Sequence, residues 1–444
     1  MSSTKRIKRN LKNSIKSVCK RRAEFVVNPL RDFTRHGKLP LKLCIGTVLS
    51  FTSKSLNGEM VDLFGCKPDM PTVSALHQRL GKIKYSAFQE VFSSFTSACK
   101  RRKLFNGYNL YAADGSDLRT LVNPDDKDSF FENGDKGSYN LYHLNALYDL
   151  NNNVYIDADV QKRLKMNENS SLVKMIERTN YSAPTVLIAD RNYESYNTMA
   201  HIQESGQFFL LRAKDINSTG IVKSFDLPKN GEFDLPIEVN LTRRRTKEIL
   251  ELLKDKNHYR CISPSTPFDF LPENSRKSDA VAFYTLRFRI VRFKIADGSY
   301  EVILTNLSQD KFPASAIKEL YAMRWGIELS FRSLKHTIGL LHFHSKKPEY
   351  ILQEIFARLT MYNFTAFIAA GVPPKEPKDN RKHKYKVNFS VATGICRKFF
   401  LGLCTPETVE AVIQSHILPI RPNNHKPRKN LKSKPPVCFL YRIA

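Results

Sequence analysis

The stretch from Leu320 to Leu341, LYAMRWGIELSFRSLKHTIGLL, constrains this chain more than any other. It holds no proline, its glycines are Gly326 and Gly339, and apolar residues return at helical spacing, so the pattern predicts a helix. At roughly 100° per residue, Leu320, Met323, Ile327, Phe331, Leu334 and Ile338 form a stripe about 80° wide that has to face a core. Beside it, Tyr321, Arg324, Glu328 and Lys335 fall within roughly 60° of one another. One edge therefore gathers a phenol, a guanidinium, a carboxylate and an ammonium. On the helix alone, charges flanking an apolar stripe describe a solvated face. Whether they do more depends on the other carboxylates that the chain supplies.

Two further acids stand out by their placement. Asn109-Leu110-Tyr111-Ala112-Ala113 reads as a strand that ends at Asp114, where Gly115-Ser116 begins a turn. Tyr139 to Leu150 and Val154 to Val160 alternate as two strands joined by Asn151-Asn152-Asn153, and Asn167 to Thr179 has a helical pattern. Ala183 to Ala189 is then a buried strand that ends in Asp190. Each aspartate taken alone is a turn or cap residue. The order strand, strand, strand, helix, strand, helix nevertheless predicts an α/β fold with a ribonuclease-H-like core, in which Asp114 and Asp190 leave the carboxyl ends of two strands at one sheet edge. Asp117 is either an acid behind this pair or an Asx-turn residue. His143, His342 and His344 are expected in structural or phosphate-contact roles, and Trp325, the one tryptophan, either in the core or stacked on an extruded base or a neighbouring helix.

Composition points to the partner. The formal net charge is +28, and about 22 of the excess charges lie in residues 1–43 and 373–444. Such an imbalance fits a polyanion held through phosphate contacts, most often nucleic acid. Lys5 to Arg22 is either an amphipathic basic helix or a basic arm without fixed structure. Pro71 to Phe95 holds two short helices, either a helix-turn-helix pair or an ordinary helical hairpin. The eight cysteines are scattered, with no C-x-x-C pair, and no run of 18 apolar residues occurs, so reduced thiols in a cytoplasmic protein are expected. The expected divisions are a helical DNA-binding region 1–105, a core in two parts, 106–206 and 307–371, a β-rich insertion 207–306, and a basic region 372–444.

Asp114, Asp190 and Glu328 together offer three hard oxygen donors, which suit Mg²⁺ or Mn²⁺. Two such ions about 3.5–4 Å apart can clamp an in-line displacement at phosphorus. The spacing Tyr321, Arg324, Glu328, Lys335 resembles the signature of one group of DDE transposases, the bacterial insertion-sequence family numbered four. The resemblance covers roughly residues 70–370. It implies Asp114, Asp190 and Glu328 as the catalytic and metal-binding triad. It also implies Tyr321, Arg324 and Lys335 as grips on DNA phosphates, two Mg²⁺ ions as cofactor, double-stranded DNA (terminal inverted repeats and target) as partner, and a homodimer on DNA in a bacterial nucleoid. Two alternatives share much of this pattern: a DNA-binding relative that has lost the chemistry, and a nuclease that cuts without joining. Gly326, unusual inside a helix, is expected to mark a close backbone approach to DNA or metal.

Overall fold

The computed structural model describes residues 2–421 apart from 36, 66, 100–102, 133, 135–136, 273–281, 297 and 376–383. The expected basic tail beyond 421, Cys66, Cys438 and part of the proline-containing linker lie outside them.

The first hundred residues are helical: α1 (Ser3–Lys20), α2 (Arg22–Phe25), α3 (Leu41–Ser50), α4 (Leu56–Phe64), α5 (Val73–Leu80) and α6 (Ser86–Cys99). Of the two expectations for the basic start, the helix is what forms. Ser2 caps it by accepting from the Lys5 N–H at 3.3 Å, and Ile7, Leu11, Ile15 and Val18 are buried at helical spacing. Lys5, Arg9, Lys12 and Lys16 stay in solvent on the other face. In the Pro71–Phe95 pair, Ala87, Phe88, Val91, Phe92 and Phe95 of α6 are buried, so one face of this helix packs into a larger helical core.

The central element is a ten-stranded mixed sheet. Its strands are β1 (Asn109–Thr120), β2 (Phe130–Phe131), β3 (Tyr139–Asp149), β4 (Val154–Lys162), β5 (Thr185–Ala189), β6 (Phe208–Ala213), β7 (Phe233–Thr242), β8 (Tyr259–Cys261), β9 (Tyr284–Ala296) and β10 (Ser299–Thr305). Helices α7 (Glu168–Arg178) and α8 (Tyr196–Glu204) flank β5, and α9 (Lys247–Leu252) follows β7. β1 pairs antiparallel with β3 and parallel with β5, and β5 pairs parallel with β6. β10 then joins β6, so the strands of residues 207–306 continue the same sheet through β9, β7 and β8. Alternate residues of β1 enter different cores: Ala112 and Leu118 the one shared with the helical N-terminal region, Tyr111 and Ala113 the one under α7 and α8.

After the sheet come α10 (Ala314–Met323), α11 (Trp325–Arg332) and a π-helical turn, Ser333–Ile338, closed by Gly339 at φ +93°. The expected single helix from Leu320 is thus broken. At Arg324 the backbone tightens, with Arg324 N–H donating to Tyr321 O at 3.0 Å and Ile327 N–H to Arg324 O at 3.1 Å, both three residues back. Helix α12 (Pro348–Ala370) is apolar nearly all round and buried accordingly. Its polar residues lock its neighbours: Gln353 donates to Leu80 O and Ile83 O, and Asn363 to Tyr155 O and Thr96 Oγ1. The strand β11 (Tyr385–Val387), α13 (Phe389–Leu401), α14 (Pro406–Ser415) and β12 (Ile417–Pro419) complete the described chain. Among the described residues no helix is long and apolar enough to cross a membrane, and Cys19, Cys44, Cys99, Cys261, Cys396 and Cys404 are free thiols.

Candidate nucleic-acid and metal site

The parallel ladder between β1 and β5 ends at Ala113 opposite Ala189. The next residue on each chain is an aspartate, so the register brings Asp114 and Asp190 side by side. Asp114 is not the end of its strand, however. β1 runs on to Thr120 because β3 keeps pairing with it after β5 has stopped, Asp114 lying opposite Ala146. Asp190 leaves the sheet and caps a short 3₁₀ turn, its Oδ1 accepting from Asn192 N–H at 2.9 Å.

Glu328 approaches from α11. Arg324, one helical turn earlier, donates from Nη2 to Glu328 Oε1 at 2.8 Å and holds Nη1 3.7 Å from Asp114 Oδ2. A guanidinium therefore stands between two of the three acids. Burial pushes the Asp114 carboxyl up to about 6; the Gly115 N–H and Arg324 oppose that rise, and the charges of Asp190 and Glu328 add to it. Among the described residues no three His, Cys, Asp or Glu side chains converge as a ready metal cage. The chemistry of the donor set still fits a hard cation, since a buried carboxylate with two acids in range gains most from positive charge.

Tyr321 is buried beside Ile317 and Leu320, and burial raises its phenol, with Arg324 opposing. Its hydroxyl and Arg324 Nε are buried atoms without a hydrogen-bond partner among the described residues. Both can donate, and the guanidinium carbon of Arg324 lies 5.6 Å from the centre of the Tyr321 ring. Lys335, on the π-helical turn, donates to the Asp117 carbonyl at 2.9 Å, and burial lowers its ammonium. The four signature residues and the two aspartates thus occupy one region around the end of the β1–β5 ladder.

Other expectations change. Trp325 is 45% exposed rather than in the core, since with Leu329 it falls on the side of the helix away from the apolar stripe. At Gly326 a Cβ would meet Leu150 Cδ2 at 2.8 Å, so the glycine gives room to that side chain. His344 lies away from the site, bonded to Glu354 at 2.9 Å and to Lys54 O at 3.0 Å. His342 sits in the turn after Gly339. Asp117 is a strand residue opposite His143, and Nδ1 of that histidine is 2.7 Å from its Oδ1. Nε2 of His143 is 3.0 Å from Glu168. Glu168 was visible in the sequence only as an acid near a helix start; its place beside β1 needs the sheet register, which no short motif carries.

A family model described as transposase DDE domain matches residues 106–364. The chain is 34% identical over 89 residues to the transposase for insertion sequence element IS421 of Escherichia coli, covering 20% of this chain and 22% of that one. It is 37% identical over 68 residues to the transposase InsG for insertion sequence element IS4 of Escherichia coli, 15% of either chain. These matches span only 22% and 15% of the relatives' own lengths. A solved piggyBac transposase synaptic complex with hairpin DNA is similar at a TM-score of 0.42 and 10% identity, over 90% of this chain and 78% of that one. The family model takes in more than half of the 444 residues and contains every residue of the site described above; the chain belongs to the transposase DDE-domain family.

Proposed function

We propose that the chain is a DNA transposase of the insertion-sequence family numbered four, with a ribonuclease-H-like core in residues 106–206 and 307–371 whose sheet the strands of residues 207–306 extend. It cleaves DNA at the ends of an insertion sequence and transfers the freed strands into target DNA. The observation that carries this reading is the gathering of acids and unsatisfied donors: Asp114, Asp190 and Glu328 lie around the end of the β1–β5 ladder, and the buried Tyr321 hydroxyl and Arg324 Nε, on the stretch leading to Glu328, lack hydrogen-bond partners among the described residues. Buried donors without partners are uncommon in folded proteins, and a phosphate oxygen satisfies both.

In this reading Asp114, Asp190 and Glu328 hold Mg²⁺, two ions by the family's pattern. When bound, these supply Lewis acidity and lower the pKa of a water nucleophile. The protein's own groups do the rest. Arg324 offers a planar fork to a phosphate of the element's end, Tyr321 a directed hydroxyl and Lys335 a point charge. Because Arg324 also contacts Glu328, its engagement with DNA would release that carboxylate from its internal partner. The cationic face of α1 adds counterion-releasing contacts along the duplex, and joining two ends calls for a homodimer on DNA.

The test is purified protein on terminal-repeat duplex with Mn²⁺ or Mg²⁺. Glu328→Gln is expected to keep duplex binding in a mobility-shift assay and to lose end cleavage by about 10³-fold or more. Cleavage at the normal rate by that variant overturns the reading. A wild-type protein that binds the repeat but never nicks it would make the chain a DNA-binding relative without the chemistry.

A further inference from the structure

We propose that His143 is a positioning residue for Asp114, fastening β1 from the face opposite that carboxylate; the inference rests on the transposase reading above. Beyond Ala113 the strand has lost β5, and among the described residues Asp114–Thr120 keeps β3 as its one strand neighbour. A strand edge of this kind needs side-chain anchors if a carboxylate on it is to hold its place. His143 supplies them. It stands directly across from Asp117 in the β1–β3 register, with Nδ1 2.7 Å from Asp117 Oδ1 and Nε2 3.0 Å from Glu168 Oε1. One buried ring thereby ties β3 to β1 and to the first turn of α7.

The ring closes on the residue next to Asp114. A Cβ at Gly115 would lie 2.2 Å from His143 Nε2 and 2.6 Å from Glu168 Oε1, so only glycine admits this approach. Side chains alternate along a strand, which puts Gly115 and Asp117 on the α7 side and Asp114 on the side of α11. Lys335 pins the same short run from the other element, through the Asp117 carbonyl. Both ring nitrogens face carboxylate oxygens, so the imidazolium form donates on both sides. Burial opposes that charge, but the bonds to Asp117 and Glu168 outweigh it and hold His143 at about 9. Without the ring, two acids face each other across Gly115 with no cation between them, and the backbone beside Asp114 loses its brace.

The experiment uses the full chain, terminal-repeat duplex and Mn²⁺. His143→Gln is expected to slow end nicking by about 10–100-fold, the usual effect of removing a group that orients a ligand. It should also raise the Mn²⁺ concentration for half-maximal nicking and weaken Mn²⁺ uptake by the protein–DNA complex, read from the resonance of free Mn²⁺. Duplex affinity in EDTA should stay within about twofold of wild type. The double variant His143→Gln with Glu168→Gln, which removes one stranded acid, should recover part of the loss. Wild-type nicking with wild-type Mn²⁺ dependence overturns the proposal. So does a loss of nicking that tracks lost duplex binding and a lowered melting point with no change in Mn²⁺ dependence, and Glu168→Gln is the second variant to apply if His143→Gln does not fold. If Glu328→Gln nicks normally, the transposase reading fails first; if that variant is dead and His143→Gln is not, this inference alone fails.

Discussion

Two clusters of buried acids and cations bracket the signature stretch, and they are built to opposite ends. At its start, Asp114 accepts from the Gly115 N–H next to it and has the Arg324 guanidinium at 3.7 Å, while the Tyr321 hydroxyl and Arg324 Nε lack partners among the described residues. Just past its end, Glu59 accepts from Thr52 N–H and Oγ1 at 2.6 Å each and from Lys54 N–H, and Glu354 accepts from the N–H and Nδ1 of His344. Burial raises both Asp114 and Glu59. At Glu59 the bonds from His344 and Thr52 overcome it and hold the carboxyl below its usual range, whereas at Asp114 burial wins and the group rises to about 6. The carboxylates of Glu59 and Glu354 thus sit in a closed set of bonds and that of Asp114 in an open one. The closed cluster joins the α3–α4 connection to α12. The open one has bonding capacity to give to a ligand.

The largest effect that would sharpen this contrast comes from taking the cation out of each cluster. Arg358, 1% exposed, donates to Thr52 O at 2.7 Å and lies 3.8 Å from Glu354. Arg358→Ala should cost about 3–5 kcal/mol in denaturant unfolding, since it strips a buried network of one partner. The second prediction concerns His143. Its pKa rises from the ordinary 6.5 to about 9, so its contribution is fully present below 6.5 and is lost as pH rises through about 9. The groups facing it are Asp117 on β1 and Glu168 on α7, with Lys335 and Arg119 acting on Asp117. The stability difference between wild type and His143→Gln should therefore shrink by about 3 kcal/mol between roughly pH 6 and pH 10. A flat difference would show that the imidazolium is not what braces β1. Arg324→Ala should cost only about 1 kcal/mol of stability, because Asp114 can escape by taking up a proton. It should weaken binding of terminal-repeat duplex by about tenfold, as measured by mobility shift. Equal stability losses for Arg324→Ala and Arg358→Ala would break the comparison.

Local chemistry made much of this legible in advance. The strands around Asp114 and Asp190 were readable from apolar runs ended by turn residues, and α7 from its period, to which the structure adds an Asn167 cap that accepts from Ser170 N–H at 2.9 Å. Tyr321, Arg324, Glu328 and Lys335 do share one region of the site, although the helix that predicted it is broken at Arg324. What the residues could not reveal depends on pairing across long sequence distances. β1 outlasts Asp114 because β3 extends past the end of β5, and nothing in the run Ala113-Asp114-Gly115 signals that. Trp325 was expected in the core, yet helical spacing already sets it opposite the stripe of Leu320, Ile327 and Leu334, and it is 45% exposed. Glu168 entered the site through sheet register and the missing side chain of Gly115.

The smallest expected effect separates two glycines that look equally telling in the sequence. At Gly115 the obstruction to a methyl group is a ring and a carboxylate already fixed to each other, so Gly115→Ala forces apart a bonded pair and should cost about 1–3 kcal/mol as overpacking. At Gly326 the obstruction is Leu150 Cδ2 at 2.8 Å, the far end of a half-buried side chain that can turn aside. Alanine is favoured over glycine within a helix by about 1 kcal/mol, which offsets the cost of moving that methyl. Gly326→Ala should therefore unfold within about 0.5 kcal/mol of wild type and bind terminal-repeat duplex with unchanged affinity. A marked loss of duplex binding at unchanged stability would return Gly326 to the DNA-facing role that the helix pattern first suggested. In that case the open cluster would extend two residues beyond Arg324, onto the exposed face of α11.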